Sequence, residues 1–351
     1  MFERFYKTFS YDIGIDLGTA NTLVYVVGKG IVINEPSVVA VNQKTGQIVA
    51  IGNEAKKMLG RTPAHITAVR PLVDGVISDF EVTQEMLFYF IKKVHEGRRF
   101  GFFGRPRMVV GVPSGITNVE ARAVLDAAKN AGAREVYLIE EPMAAAIGAR
   151  MPIDEPVGNM IIDIGGGTTD IAVISLGGIV TSKNVRLAGD KLNQDIIDYA
   201  RDQFKILLGE KTAEDIKIAI GSVSKNSEGL EATIRGRDLI TGLPREVIVT
   251  DSDIKEAIWK SIQTLVSATK EVIEETPPEL VSDIMHRGIA MVGGGAFLRG
   301  FSKVLEHETK IPVYVVEDPL TAVVRGTGIV LENLEGMKDF LVKYEDSTPP
   351  K

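Results

Sequence analysis

Two aspartates, each carried by an apolar run into a glycine-rich turn, are the residues best placed in this chain to do chemistry. The segments are Ile13-Gly-Ile-Asp-Leu-Gly-Thr-Ala-Asn-Thr22 and Ile161-Ile-Asp-Ile-Gly-Gly-Gly-Thr-Thr-Asp170. Setting Asp16 on Asp163 also brings Gly18 onto Gly165, Thr22 onto Thr169 and Val26 onto Val173, so carboxylate, glycine, hydroxyl and trailing strand recur in one register. Both segments read as strand, tight turn, strand. A buried strand delivers one Asp to the rim of a sheet, and glycines let backbone N–H groups converge on an anion in a concave nest. Two such hairpins facing each other suit one polyphosphate and its metal, and their repetition implies a duplicated domain.

The elements that must position these loops alternate along the chain. After the first hairpin, Val38 to Val41 and Ile48 to Ile51 read as short strands, followed by a helix from about Asn53. A helical pattern runs from Asp79, then a strand from Met108 to Val112, and an Ala-rich helix from Asn118 to Asn130 with Asn118 as its cap and Gly132 beyond its end. Val136 to Ile139 is a strand, Pro142 opens a helix, and Pro152 to Gly158 reads as a linker. The second part repeats the theme, with helices from about Asn193 and Thr212, alternating strands over Ala232 to Val249, a long helix from Asp251 to Glu275, and a strand, Ile289 to Val292, entering Gly293-Gly-Gly-Ala-Phe-Leu-Arg-Gly300. Strand and helix in alternation mark sheets wound with helices.

Composition bounds the function. The chain has 351 residues, 44% of them hydrophobic and 25% charged, a net charge of −7 and no Cys. This is the composition of a globular protein without disulfides or thiolate metal sites, and the charge argues against nonspecific nucleic-acid binding. No apolar run approaches the length of about 18 residues that crosses a bilayer, and the N-terminus lacks a signal-peptide core, so a cytoplasmic location is expected.

Two Asp-Gly-Thr hairpins and a strand entering Val-Gly-Gly-Gly resemble the actin, sugar-kinase and heat-shock-chaperone ATPase fold. Asp16-Leu-Gly-Thr-Ala-Asn-Thr, Asn34-Glu-Pro-Ser-Val, Val112-Pro-Ser-Gly, Glu141-Pro-Met-Ala-Ala-Ala, Asp163-Ile-Gly-Gly-Gly-Thr-Thr and Thr276-Pro-Pro-Glu-Leu, in that order, resemble the MreB family of bacterial actins through nearly the whole chain. The resemblance implies an α/β, actin-like ATPase fold of two duplicated, ribonuclease-H-like halves, each with a small insertion, around a nucleotide cleft. The first half then covers residues 1–152 (core 10–32 and 75–152, insertion 33–74). The second covers 153–344 (core 153–186 and 251–344, insertion 187–250), and a loose tail follows at 345–351.

On this reading ATP and Mg²⁺ occupy the cleft. Asp16 and Asp163 hold Mg²⁺ through water, because that ion sheds its hydration shell reluctantly and is usually bound by one or two carboxylates and phosphate oxygens. The alternative for each is a cap on its own hairpin. Gly18, Thr19, Ala20 and Asn21 present donors to the phosphates, as do Gly165, Gly166, Gly167 and Thr168 from the other side. Glu141, the glutamate before proline in this family, orients the attacking water, with Thr168 as a second contact and Glu140 as the rival carboxylate. Helix capping is the structural reading of Glu141. Gly293, Gly294, Gly295 and Ala296 leave room for the nucleoside. Glu214 and Lys217 resemble an adenosine-contacting pair, although by spacing alone they are an exposed pair on one helix face. Asp190 faces the ribose or phosphates.

Phe2, Phe5, Tyr6 and Phe9 lie at helical spacing with Arg4 and Lys7 between them, which suits an anionic lipid surface; a terminal turn packed on the first sheet is the alternative. Arg98-Arg-Phe-Gly-Phe-Phe-Gly-Arg-Pro-Arg107 sets Phe102 and Phe103 between glycines among four arginines. Such a segment suits lipid, single-stranded nucleic acid or a buried loop, and the resemblance selects lipid. The family further implies head-to-tail filaments paired as antiparallel protofilaments, a place on the inner face of the cell membrane, integral membrane partners of the cell-wall elongation machinery, and a role in rod shape. No nucleic-acid partner is expected. A chaperone-type ATPase and a small-molecule kinase on the same fold are the competing readings.

Overall fold

The computed structural model describes residues 10–96, 105–226 and 229–343. It opens with a meander of β1 (Ile13–Leu17), β2 (Asn21–Val26) and β3 (Gly30–Pro36). The first insertion follows: β4 (Val39–Asn42), β5 (Ile48–Ile51), α1 (Asn53–Met58) and β6 (Ile66–Val69), its three strands forming one sheet. A two-stranded turn, β7 (Leu72–Val73) and β8 (Val76–Ile77), leads to α2 (Phe80–His95), β9 (Arg107–Val112), α3 (Asn118–Asn130), β10 (Glu135–Glu140) and α4 (Glu141–Gly148). The second meander is β11 (Asn159–Ile164), β12 (Thr169–Ser175) and β13 (Gly178–Val185). Then come α5 (Gly189–Phe204), β14 (Ile206–Leu207), α6 (Glu210–Ile220), β15 (Glu231–Asp238) and β16 (Pro244–Thr250), with β14, β15 and β16 in a second small sheet. The chain finishes with α7 (Asp251–Glu275), α8 (Pro278–Arg287), β17 (Ile289–Val292), α9 (Phe301–Thr309), β18 (Val313–Val315) and α10 (Ala322–Glu332).

The duplication is visible in the sheets. One runs β10-β9-β1-β2-β3 and the other β18-β17-β11-β12-β13. In each, the meander strands pair antiparallel and the two later strands add in parallel beside the first, the geometry of a crossover that needs a helix. The strands carrying the aspartates are central, and β11 and β12 are buried along their whole length, which is why they read as continuous apolar runs.

A third core joins the halves. Val109 and Ile139 of the first sheet, Ile161 and Ala172 of the second, and α4 and α10 between them form one buried cluster. Small residues set this spacing. A β-carbon on Gly148 would stand 1.9 Å from the Ala322 carbonyl oxygen, and one on Gly326 1.8 Å from that of Ala144. Gly148 of α4 and Gly326 of α10 are therefore packing requirements. Within the duplicated plan, α10 crosses back: a β-carbon on Gly14 of β1 would meet Thr327 Oγ1 at 2.4 Å.

Two helix starts differ from the sequence expectation. Thr117, not Asn118, caps α3, in a reciprocal box with Glu120 that contents both backbone donors. The helix expected near Asn193 begins at Gly189, because the first-turn amides of Gly189 and Asp190 donate to the carbonyls of Gly165 and Gly166 at 3.2 and 2.8 Å. A tertiary contact replaces the cap there.

Candidate nucleotide cleft

Between the two glycine loops lies a cavity of about 480 Å³. Asp16, Gly18, Thr19, Ala20 and Asn21 line it from the first hairpin, and Asp163, Gly165, Gly166, Gly167 and Thr168 from the second. Glu141, Asp190, Glu214, Lys217, Gly293, Gly294 and Gly295 complete the residues that sequence reasoning had singled out. Its apolar lining includes Ile218, Phe297, Leu298, Pro319, Leu320 and Val323.

The glycines work by close approach more than by unusual backbone. Gly18, Gly165, Gly166 and Gly167 all lack positive φ. A β-carbon on Gly166 would sit 2.6 Å from that of Ala20, and one on Gly167 would lie 2.7 Å from Thr19 Oγ1 and 3.0 Å from the Asp74 backbone. The two loops therefore touch, and Thr19 Oγ1 also accepts from the Gly75 amide at 3.1 Å. Gly293, at φ 77°, and Gly295 are likewise constrained by protein, since β-carbons there would strike Asp163 and Ile164. Ala296 is buried in the core of the second half and is not on the cavity wall; the exposed Phe297 takes that place.

Four carboxylates converge beneath the loops. Burial pushes Asp16 up to about 7 and holds Asp163 and Glu141 well above the usual carboxylate range. Glu141 is raised further by the charges of Asp170, Asp16 and Asp163, and Asp163 by Asp16 and Asp170. Asp170 is itself raised to about 6 by burial, against hydrogen bonds from the Ser114 amide at 2.8 Å and Asn184 Nδ2 at 2.9 Å. The Ser114 bond ties the first half to the second, and the Asn184 bond lies within the second. Glu140, the rival of Glu141, accepts from the Gly115 amide at 3.3 Å and is not on the cavity wall.

Glu214 and Lys217 do not form an exposed pair. Glu214 bonds Lys56 on the first insertion at 3.1 Å, while Lys217 donates to the Gly189 carbonyl at 2.8 Å and burial lowers its pKa. Sequence reasoning missed Asp170, which closes the second glycine motif, and Asn193, which it read as a helix start. Asn193 is buried on the cavity wall with its Oδ1 unpaired. It also passed over Lys56 and Arg70, whose partners lie more than a hundred residues away. The aromatic residues proposed for lipid, Phe2, Phe5, Phe9, Phe102 and Phe103, lie outside the described residues.

The donor set fits a metal-bound polyphosphate. Five acidic side chains and one lysine line the cavity, so bare phosphate would be repelled and a divalent cation would relieve both charges. Among the described residues no three acidic or histidine side chains converge to ligate a metal directly. Asp16 and Asp163 both stand on the cavity wall. The unpaired Asn193 Oδ1 would accept from a ligand hydroxyl or a water.

The chain is similar in sequence, and to solved structures in fold, to known proteins. It is 52% identical over 327 residues to the cell shape-determining protein Mbl of Bacillus subtilis (strain 168), covering 93% of this chain and 97% of that one. It is 52% identical over 341 residues to the cell shape-determining protein MreB of Escherichia coli (strain K12), covering 95% and 97%. The crystal structure of MreB5 of Spiroplasma citri bound to ADP superposes with a TM-score of 0.87 at 40% identity, over 93% of this chain and 98% of that one. The MamK double helical filament, at 22% identity and a TM-score of 0.78 over 92% and 99%, shares the actin-like fold. The model of the MreB/Mbl protein family matches residues 10–339, and the chain belongs to that family.

Proposed function

We propose that this chain is a Mg²⁺-dependent ATPase of the actin-like cytoskeleton, whose filaments assemble on the inner face of the cell membrane and organise rod-shaped growth. The observation that carries this reading is the contact between the loops: Gly166 against Ala20 and Gly167 against Thr19 close a cavity that combines clustered carboxylates with an apolar wall. A nucleotide has both a charged and an apolar end. The Spiroplasma citri relative was solved with ADP and with AMPPNP, which supports the same ligand class here.

In this reading residues 1–152 and 153–344 are the two halves. Asp16 and Asp163 hold Mg²⁺ through water, and the ion, when bound, offsets the charge of the phosphates. Backbone amides of Gly18 to Asn21 and Gly165 to Thr168 orient the phosphates. Asp190, Glu214, Lys217 and Gly293 to Gly295 border the nucleoside. Glu141 orients the attacking water and accepts its proton late in displacement, with the Thr168 hydroxyl as a second water contact. Burial and the neighbouring acids raise the Glu141 pKa, so cations entering the site favour its ionised form.

Two aromatic segments supply the membrane contact, Phe2, Phe5 and Phe9 in one and Phe102 and Phe103 in the other. Their attachment points are adjacent: the Tyr11 amide donates to His95 Nε2 at 3.1 Å, linking the start of the described chain to the end of α2. Among the described residues no helix is long and apolar enough to cross a membrane, and the lipid contact proposed is peripheral. Filaments are antiparallel pairs of head-to-tail protofilaments, working with integral membrane proteins of cell-wall elongation. The shape-determining names of the relatives support the role in cell shape.

Equilibrium binding and single-turnover hydrolysis test the cleft. The wild-type chain should bind ATP only with Mg²⁺ present, and Glu141→Gln should keep binding while hydrolysis falls about 100-fold. ATP bound equally well in EDTA, or a Glu141→Gln chain hydrolysing at the wild-type rate, would refute the assigned roles.

A further inference from the structure

Three ion pairs span the cleft from the first insertion. Lys56 on α1 pairs with Glu214 on α6 at 3.1 Å. Arg70, just past β6, forks: one guanidinium nitrogen meets Asp190 on α5 at 3.1 Å and the other meets Glu210 in the first turn of α6. Among the described residues these are the ion pairs that join the insertion over 33–74 to the second half. Asp190 and Glu214 are also walls of the nucleotide-sized cavity. Arg70, Asp190 and Glu210 line a neighbouring cavity of about 300 Å³, and Thr19 borders both.

We infer that Lys56 and Arg70 latch the cleft and set the rate at which nucleotide leaves it; this rests on the reading of the cavity as the nucleotide site. A ligand under these two walls leaves when they part, and parting them breaks all three pairs. The side chains are 23–48% exposed, so each pair alone is weak and screened by salt, but one guanidinium shared by two carboxylates acts as a network. The latch also reaches the phosphate loop. Asp190, held by Arg70 through its side chain, donates its backbone amide to Gly166. Movement of that glycine loop therefore pulls on the latch, and opening of the latch frees the first turn of α5.

The test is release of a fluorescent ATP analogue with Mg²⁺, chased by unlabelled ATP in stopped flow, on full-length protein. The wild type is compared with Lys56→Gln/Arg70→Gln, with Arg70→Glu, and with the charge swap Arg70→Glu/Glu210→Arg. Release should be about tenfold faster in the double variant and faster still in Arg70→Glu. The swap should recover part of the loss, which unfolding or general loosening would not do. The gap between wild type and the double variant should close in about 1 M KCl, where the pairs are screened. Unchanged release in every variant, with the analogue still bound, would overturn the latch alone. A wild-type chain that binds no analogue would overturn the cavity reading and the latch with it.

Discussion

Asp16, Glu141, Asp163 and Asp170 crowd one buried space, where burial raises all four and neighbouring charges add to the rise at Glu141 and Asp163. Burial of these acids has a measurable consequence in protein stripped of metal and nucleotide. Asp16 rises from 3.8 to about 7 on folding, so between those values the folded chain binds more protons than the unfolded one. Its contribution to stability is complete below about 4 and is lost as pH rises through about 7. Asp170, raised to about 6, adds a slope of the same sign. In EDTA, Asp16→Asn should therefore be more stable than wild type at pH 8, by about 1–3 kcal/mol, with the difference shrinking toward pH 5. Urea denaturation at the two pH values measures it, and a variant less stable than wild type at pH 8 would show that the cluster is not strained. Asp16 and Asp163 were legible because the duplicated register marks them. Asp170 was not, since its counterpart at that register is Leu23 and the repeat gives no sign of an acid there.

The glycine loops and the helices between the sheets show what sequence patterns convey about elements and where they stop. Strand and helix limits in the long regular stretches, such as α7 and β17, coincide with the expected ranges because periodicity and caps are local properties. The start of α5 escaped, since carbonyls of a loop more than twenty residues upstream replace its cap. The reason for each glycine escaped too: spacing marks the loop, whereas only the fold shows that Gly166 meets Ala20 and Gly295 meets Ile164. Gly166→Ala should thus act on the seam between the halves. Its β-carbon would lie 2.6 Å from that of Ala20 and 3.0 Å from the Ala20 amide, an overpacking that should lower stability by about 1–3 kcal/mol. Ala20→Gly in the same chain should restore part of it in thermal denaturation, because one of the two clashes is removed. Additive loss in the double variant would mean that the loops do not touch.

At the scale of the molecule, two sheets of one topology share a core through α4 and α10, and the cleft opens where their central hairpins meet. The Lys56 and Arg70 pairs bridge that same cleft. The central proposal is that Mg²⁺·ATP held in this cleft supports filament assembly on the membrane. It is tested most directly by electron microscopy of the purified chain on anionic lipid, with Mg²⁺ and ATP, beside sedimentation of the same samples. The account predicts paired filaments lying on the lipid with Mg²⁺·ATP, and far fewer when Mg²⁺ is chelated. A chain that binds and hydrolyses ATP yet stays monomeric on lipid and in solution would contradict it.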